Sequence, residues 1–510
     1  MRSHIQGLEK EYGVSPDFFL SRPFSRTLLF DCASRYLMRV KGQSLSHDYW
    51  LSNMGRLYMD TGSHIEYASP ECETSRDVLI WQKAGDEILI DAVEGVNDLL
   101  WQALFTNDGT QLFDREVRDD LRGYVVERHL KPGAEIIRLY RNSIDICGRH
   151  MYGEHENHLV RRESVSSPHA MSNFQSILLV HLISRIIWQG SGIVHWRGGH
   201  SEYRLSQREL GTGELILCGT TGEFKPLINT RDESHARSDK WYRVHIVGGD
   251  ANLAEVSSRL KFGTTALIVR MIEDGCLDGK VPIYRLDEMR DAYSLFSGDR
   301  TLRKIYKFSN GNYSALDLQL MFLGLAEEYV GKGYAERTPD ILWTLEWWRK
   351  ILDLIALDNP HEKLARYTDV SAKLFLILRD MEKYGYSWRS SYNDCIKILK
   401  KDGSLQLMTV GGRLGFWELE YHRLSRTQGI FQKLSMERIV SSGEVAFAKE
   451  NPPHRTRAET RRKYCDYLKK LGGSVDSMNW NLVKGRDNNG DCFDFVLDDP
   501  FARFTKPQDF

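Results

Sequence analysis

Gly7-Leu8-Glu9-Lys10-Glu11-Tyr12-Gly13 and Arg56-Leu57-Tyr58-Met59-Asp60 read as two β-strands, each with a polar and an apolar face. Side chains alternate along a strand, so Glu9 and Glu11 share one side while Leu8 and Lys10 take the other. Arg56, Tyr58 and Asp60 likewise share a side, opposite Leu57 and Met59. Acids, a phenol and a guanidinium on one side of a sheet are costly to bury without partners. Hard oxygen donors suit Mg²⁺ and arginine forks onto phosphate, so the pattern points to a divalent cation and a phosphate-bearing ligand. The second stretch continues to Gly62-Ser63-His64-Ile65-Glu66-Tyr67-Ala68-Ser69, where a Gly62-Ser63 turn would return Glu66 toward Asp60.

The rest of the chain sets the frame. With 510 residues, two or more domains are expected. A net charge of -1, from 69 basic and 70 acidic residues, gives no overall pull toward nucleic acid or a membrane, and neither is expected as a partner. A hydrophobic content of 41% fits a folded protein. The eight cysteines contain no C-x-x-C pair, which argues against a disulfide framework or cysteine zinc site and for a reducing, cytoplasmic setting. The N-terminal residues show no apolar signal core. The most apolar stretch, Ile177 to Val194, is interrupted by His181, Arg185 and Gln189, and so predicts a buried helix rather than a membrane span.

Periodicity predicts a helix over Ser75–Leu99 with Leu79, Ile80, Ala84, Ile88 and Ile90 on its apolar face. Strands are expected at Glu135–Tyr140, Leu215–Leu217 and Trp241–Ile246, and a helix at Ser257–Glu273. Ser314 with Asp317 has the form of a capping box, and Thr338-Pro339-Asp340 reads as a helix start. Trp343, Trp347, Ile351 and Ile355 follow at helical spacing, a stripe expected to pack in the core. Pro452-Pro453 breaks the pattern before a basic helix at Thr456–Leu468.

Three further clusters carry possible chemistry. In Gly153-Glu154-His155-Glu156-Asn157-His158, a strand would put Glu154, Glu156 and His158 on one face, either as another metal carboxylate set or as a surface strand. The histidine spacing is not that of a zinc helix. Asn229-Thr230-Arg231-Asp232-Glu233 is followed by His245 and by Gly248-Gly249, which permits a turn or a close approach but is neither a P-loop nor a dinucleotide fingerprint. The basic helix holds Arg455, Arg457, Arg461, Arg462 and Lys463, a composition that usually forms a solvated face. Trp480 beyond it could stack on a base or fill a core.

In order along the chain, Gly7–Gly13, Asn53–Glu71, Gly153–His158, Tyr203–Arg208, Ile228–Ala236, His245–Asn252, Lys261–Leu267, Ser314–Gln319 and Pro452–Ala458 resemble motifs of the Pup ligase and depupylase family, relatives of glutamine synthetase. The pass along the chain places a domain boundary near 435–445, and with it the resemblance implies an α+β fold: a glutamine synthetase-like domain over 1–440, with a curved, mainly antiparallel sheet packed by helices, and a small C-terminal domain over 441–510. It implies ATP and Mg²⁺ as cofactors, and a carboxylate-amine ligase that phosphorylates the C-terminal glutamate of a Pup-like modifier and joins it to a target lysine. Glu9, Tyr58 and Glu66 resemble the Mg²⁺ ligands, with Glu11 and Glu156 as further candidates. Arg56, Ser69 and Trp480 resemble the ATP contacts, with Arg208, Arg231, His245 and Arg457 as further candidates. Asp60 resembles the catalytic base.

The depupylase pattern carries a long insertion between the first two motifs, whereas 39 residues (14–52) lie there in this chain. Together with the ligase-like form of Met59–Tyr67, this favours a ligase. The alternatives are a depupylase, an ATP-hydrolysing phosphotransferase or phosphatase, and a non-catalytic scaffold. Lys10, Met54-Gly55, Ile65 and His158 depart from the family pattern. Strand alternation turns Lys10 away from the face of Glu9 and Glu11.

Overall fold

The computed structural model describes residues 4–15, 48–60, 64–105, 122–123, 125–126, 129–145, 150–219, 225–399 and 403–505. The expected Gly62-Ser63 turn lies outside them.

One large sheet organises the chain. Its strands are β1 (Gln6–Ser15), β2 (Asp48–Trp50), β3 (Arg56–Met59), β4 (Ile65–Ala68), β5 (Arg138–Tyr140) and β6 (Glu154–Arg161). A hairpin, β7 (Ile193–Arg197) with β8 (His200–Arg204), precedes three more sheet strands: β9 (Ile216–Leu217), β10 (Ile228–Asn229) and β11 (Trp241–Ile246). The order is β2-β3-β4-β1-β6-β11-β10-β9, with β5 also paired to β1. Every pair is antiparallel except β9 with β10. Register sets Glu11 opposite Glu66, Glu66 opposite Tyr58, and Glu9 opposite His155. The alternation expected for the first two strands therefore extends across five adjacent strands.

Helices lie behind the other face, and the last of them packs in the C-terminal segment. They are α1 (Ser75–Phe105), α2 (Pro168–Ser184), α3 (Glu255–Glu273), α4 (Leu286–Ser297), α5 (Ala315–Gly331), α6 (Pro339–Ile355), α7 (Asp369–Tyr384), α8 (Val410–His422), α9 (Ser442–Glu450) and α10 (Arg457–Lys470). Each of the apolar positions expected in α1 is buried, and the helix runs one turn and a half beyond Leu99. Ser314 and Asp317 cap α5 reciprocally, and the Thr338 hydroxyl accepts from the Ile341 amide at the start of α6. The aromatic stripe of α6 is rotated from its expected place. Trp348, Ile351, Leu352 and Ile355 form the buried line, while Trp343 and Trp347 are half-buried and stack on each other at 5.5 Å. Arg259 covers Trp343 and Lys350 covers Trp347, so cations shield the two outer rings from water. Among the described residues no helix is long and apolar enough to cross a membrane.

A buried charge network joins the sheet to its helices. Glu154, on the helical face of β6, accepts hydrogen bonds from Lys10 of β1 and Lys261 of α3. It also accepts from Arg141 Nη2 at 2.9 Å, and Arg141 Nη1 donates to Asp86 of α1 at 2.7 Å. Tyr12 donates to the same Asp86 at 2.9 Å. Burial alone would raise the pKa of Glu154, but Arg141, Lys10 and Lys261 hold it well below the usual carboxylate range. Glu156 beside it binds Arg185 and lies 3.5 Å from His158. The three interruptions of the apolar stretch in α2 and its extension thus have partners: His181, Arg185 and Gln189 are all buried and hydrogen-bonded.

The C-terminal segment has its own small core. There α10 packs on the antiparallel sheet formed by the strands Ser474–Asn479, Leu482–Arg486 and Cys492–Val496, around Leu468, Val483 and Phe495. The preceding α9 docks on the N-terminal elements: Asn53 donates to the Ala448 carbonyl at 2.9 Å, and the Trp81 indole to that of Asn451 at 3.0 Å.

Replacing Glu154 by glutamine leaves Lys10, Lys261 and Arg141 buried without their shared counter-charge. We expect Glu154→Gln to lower stability by about 3–5 kcal/mol, read as a drop in the urea midpoint. An unchanged midpoint would show that the network carries no such weight.

Candidate active site on the polar face of the sheet

The polar face is assembled from pleated strands in register. Arg56, Tyr58 and the end of β3 at Asp60 lie beside Glu66 of β4, then Glu9 and Glu11 of β1, then His155 of β6, then Arg243 and His245 of β11. Ala68, opposite both Arg56 and Glu9, contributes only a methyl group and leaves room above the sheet. Arg56 lies over the Tyr58 ring at 4.7 Å.

Two groups of potential ligands stand side by side. In the first, Glu9 lies 3.3 Å from His155 Nδ1 and 3.2 Å from His245 Nε2, and Arg243 Nη1 donates to its other oxygen at 3.3 Å. In the second, His64 Nδ1 lies 3.2 Å from Glu11 and 3.5 Å from Asp60, and the His64 amide donates to Asp60 Oδ1 at 2.5 Å. The donor atoms within each group come within 4.8 Å of one another.

The electrostatics follow from crowding. Burial opposes the charge on Glu9, but hydrogen bonds from His155 and His245 and the nearby Arg243 hold its pKa well below normal. Burial likewise opposes Glu11, and His64 brings it down to about 2. Among the described residues no such cation offsets Glu66. Burial and then the charges of Glu9 and Glu11 raise its pKa well above normal. Burial and the neighbouring Glu66 raise the Tyr58 phenol in the same way. A pair of oxygen donors that resists ionisation for want of positive charge is the environment a divalent cation would relieve. The donor set of Glu9, Tyr58 and Glu66 therefore fits Mg²⁺.

At the end of the face nearest the C-terminal segment lies a cavity of about 90 Å³ lined by Glu9, Ser69, Arg243, Arg457 and Trp480, with Ser234 and His235 on one wall. The Ser69 hydroxyl accepts from the Leu8 amide at 2.9 Å and donates to the Pro70 carbonyl at 3.0 Å. Trp480 meets Trp50 edge-on at 4.8 Å, and the Arg461 guanidinium lies 5.2 Å from both rings. Asp232, Glu233 and His235 have positive φ of 70°, 42° and 49°, a run of left-handed non-glycine residues that marks stored strain beside the cavity. Gly248 lies just beyond β11, where an added Cβ would sit 2.8 Å from the Leu227 Cα; glycine permits that close backbone approach.

Several expected residues are placed differently. Glu156 is on the opposite face of the sheet from Glu9, wholly buried against Arg185, so it cannot join the same ligand set. Alternation along β6 is the cause: Glu154, Glu156 and His158 do share a side, but it is the helical side. Arg231 is turned outward and paired with Glu233 at 3.0 Å. Arg208 is buried at the Glu11 end, donating to the Val247 carbonyl at 2.7 Å, while among the described residues its Nε has no hydrogen-bond partner. The basic helix is not simply solvated. Arg457 Nε and both terminal nitrogens of Arg461 hold the buried Glu71 carboxylate at 2.6–2.8 Å. Arg457 Nη1 is committed to the carbonyls of His235 and Leu497. His64, His155 and Arg243 were not singled out from sequence. The signal for the last two was present, since each shares a strand side with a residue of the face.

The family model described as Pup-ligase protein matches residues 4–484. A Pup--protein ligase of Actinosynnema mirum is 32% identical over 495 residues, covering 96% of this chain and 94% of the relative. One from Kineococcus radiotolerans is 31% identical over 471 residues, covering 90% and 89%. Among solved structures, the complex between Pup and its ligase PafA superposes with a TM-score of 0.76 at 24% identity, covering 99% of this chain and 90% of that one. PafA in complex with ADP gives 0.70 at 24% identity, covering 93% and 91%. These two neighbours share the fold, with its mixed sheet and helices. With the polar face, the full-length family match and relatives above 30% identity, the chain belongs to the Pup ligase family.

Proposed function

We propose that this protein is an ATP- and Mg²⁺-dependent ligase that joins the C-terminal glutamate of a Pup-like modifier to lysines of target proteins. The observation that carries the reading is the face on which Glu9, Tyr58 and Glu66 stand together, with Asp60 3.5 Å from the His64 imidazole at its edge. In this reading residues 1–440 are the catalytic unit and 441–510 the small unit that brings Trp480 and Arg457 to the cavity. A reducing cytoplasm fits the cysteine usage.

The roles follow from chemistry. Glu9, Tyr58 and Glu66 would hold Mg²⁺, with Glu11 beside them, and the ion would supply charge neutralisation for phosphoryl transfer. Arg56 supplies a fork for phosphate oxygens, and Ser69 and Trp480 bound the nucleotide end. Transfer of the terminal phosphoryl group to the glutamate side chain gives an acyl phosphate and ADP. The target lysine is protonated at neutral pH and must lose a proton before its nitrogen attacks that carbonyl. Asp60 accepts the proton, the amide bond forms, and phosphate leaves. The imidazole of His64, held near pKa 9 against burial by Asp60 and Glu11, fixes both carboxylates in place.

Asp60→Asn is expected to retain nucleotide binding and lose about 10²–10⁴-fold in conjugation rate, measured by mass spectrometry with a Pup-like peptide ending in glutamate, ATP and a lysine-bearing target. Undiminished conjugation would remove Asp60 from the base role. Wild-type ATP hydrolysis without any conjugate would favour the phosphotransferase alternative, and cleavage of a preformed conjugate without ligation would favour a depupylase.

Glu66→Gln is expected to weaken calorimetric binding of Mg-ATP, because it replaces an anionic ligand by a neutral one. Equal affinity in the two proteins, or wild-type binding indifferent to EDTA, would sink the metal assignment.

Trp480→Phe is expected to abolish most of the change in tryptophan emission on ATP binding. An equal change in both proteins would leave Trp480 as a packing residue only.

A further inference from the structure

One side chain of the nucleotide cavity has no part in the roles above. Asn157 of β6 lines the cavity, half-buried, on the same side of the sheet as His155. Strand pairing sets it opposite Gly7 of β1, two residues along from the pair of Glu9 with His155. Gly7 puts no side chain on the floor there. Chain neighbours aside, a Cβ added to it would meet only the Ser69 hydroxyl, at 3.6 Å. The sheet is therefore open beside Asn157, and a ligand can lie against it.

Arg243 fixes which way the amide points. Its Nη1 donates to Asn157 Oδ1 at 3.3 Å as well as to Glu9 at 3.3 Å. A guanidinium has donors only, so the amide oxygen must face it and the NH₂ group must take the other direction. Among the described residues no acceptor meets Asn157 Nδ2. The two serine hydroxyls on the cavity wall are already committed as donors, Ser69 to the Pro70 carbonyl at 3.0 Å and Ser234 to the Ala236 carbonyl at 3.2 Å. Arg243 is itself held in place, its Nε donating to the Asp232 carbonyl at 2.9 Å. The amide is thus a preset donor beside an open floor.

We propose that Asn157 is a nucleotide-binding residue, donating from Nδ2 to an oxygen of the α-phosphoryl group. The inference rests on the ATP site proposed above. Two residues along a strand span about 7 Å. Terminal phosphates held at Glu9 by Mg²⁺ place the α-phosphoryl group over Gly7 and beside Asn157, with the base beyond it toward Trp480. A neutral amide suits that place, because it binds a phosphate oxygen without adding a second cation to compete with Arg243 for Glu9.

The test is calorimetry on the full chain with ATP and with dideoxy-ATP, which lacks both sugar hydroxyls. Asn157→Asp keeps the oxygen that Arg243 uses and removes only the NH₂ group. It should weaken ATP more than about tenfold, since a hydrogen bond to a charged oxygen is lost and a carboxylate stands in its place. Asn157→Leu removes donor and acceptor without adding charge and should weaken ATP about tenfold. Both variants should weaken dideoxy-ATP by the same factor as ATP, and if Asn157→Asp does not fold, Asn157→Leu decides alone. Wild-type affinity in either variant would leave Asn157 as a support for Arg243 only and overturn the proposal. A loss confined to ATP would move the contact to the sugar and overturn it equally. A wild type that binds neither nucleotide would instead overturn the ATP site itself, and this inference with it.

Discussion

The Glu154 carboxylate is the constraint on which the remaining structure depends. It is fully buried and receives Lys10, Lys261 and Arg141, which come from β1, α3 and the segment after β5. Asp86 closes the set through Arg141 and Tyr12. Desolvating so many charges is expensive, and the arrangement persists only because each has a counter-charge in good geometry. Its consequence is register. A strand that slipped by one residue would turn Lys10 away from Glu154 and drive Glu9 and Glu11 into the helical layer. The buried face of β1 thereby fixes the exposed one.

That division of labour explains the acidity of the other side. Cationic groups are concentrated beneath the sheet, at Lys261, Arg141 and Arg185 and at Lys10, whose amine burial and then Arg141 pull down to about 7. Above it, Glu9, Glu11, Glu66 and Asp60 are met by Arg243, Arg56 and histidines, with Arg208 and Lys225 near Glu11. Glu66 is left with the weakest compensation, and it is the residue whose ionisation the surroundings most oppose. A site built to receive a cation carries this unfavourable balance as part of its function.

The C-terminal segment is attached by a second buried carboxylate. Glu71, three residues beyond β4, is gripped by Arg457 and Arg461 of α10, and its pKa is held at about 2 by those guanidiniums against the effect of burial. Arg461 also donates to the Trp480 carbonyl at 2.8 Å, so one ion cluster sets both the docking of α10 and the place of the tryptophan at the cavity. The strained Asp232–His235 loop is held at the same junction through the His235 carbonyl.

Local pattern was enough for the strand faces of Glu9, Glu11, Arg56, Tyr58 and Asp60, for the caps at Ser314 and Thr338, and for α1, because alternation, capping chemistry and helical periodicity are properties of neighbouring residues. The ordered motifs carried the family. Local pattern did not determine which side of the sheet a given face would meet. Glu154, Glu156 and His158 share a side as expected, yet that side faces Lys10 and Arg185, contacts separated by tens to hundreds of residues and set only by strand pairing. The line of α6 rotated onto Trp348 because burial depends on what packs against a helix, while Arg259 and Lys350 cover the outer rings. Arg457 and Arg461 read as solvated until Glu71 is brought to them. The sequence by itself determined the alternating chemistry of each strand; the tertiary structure alone decided which charges meet, because an ion pair across 386 or 390 residues has no local signature.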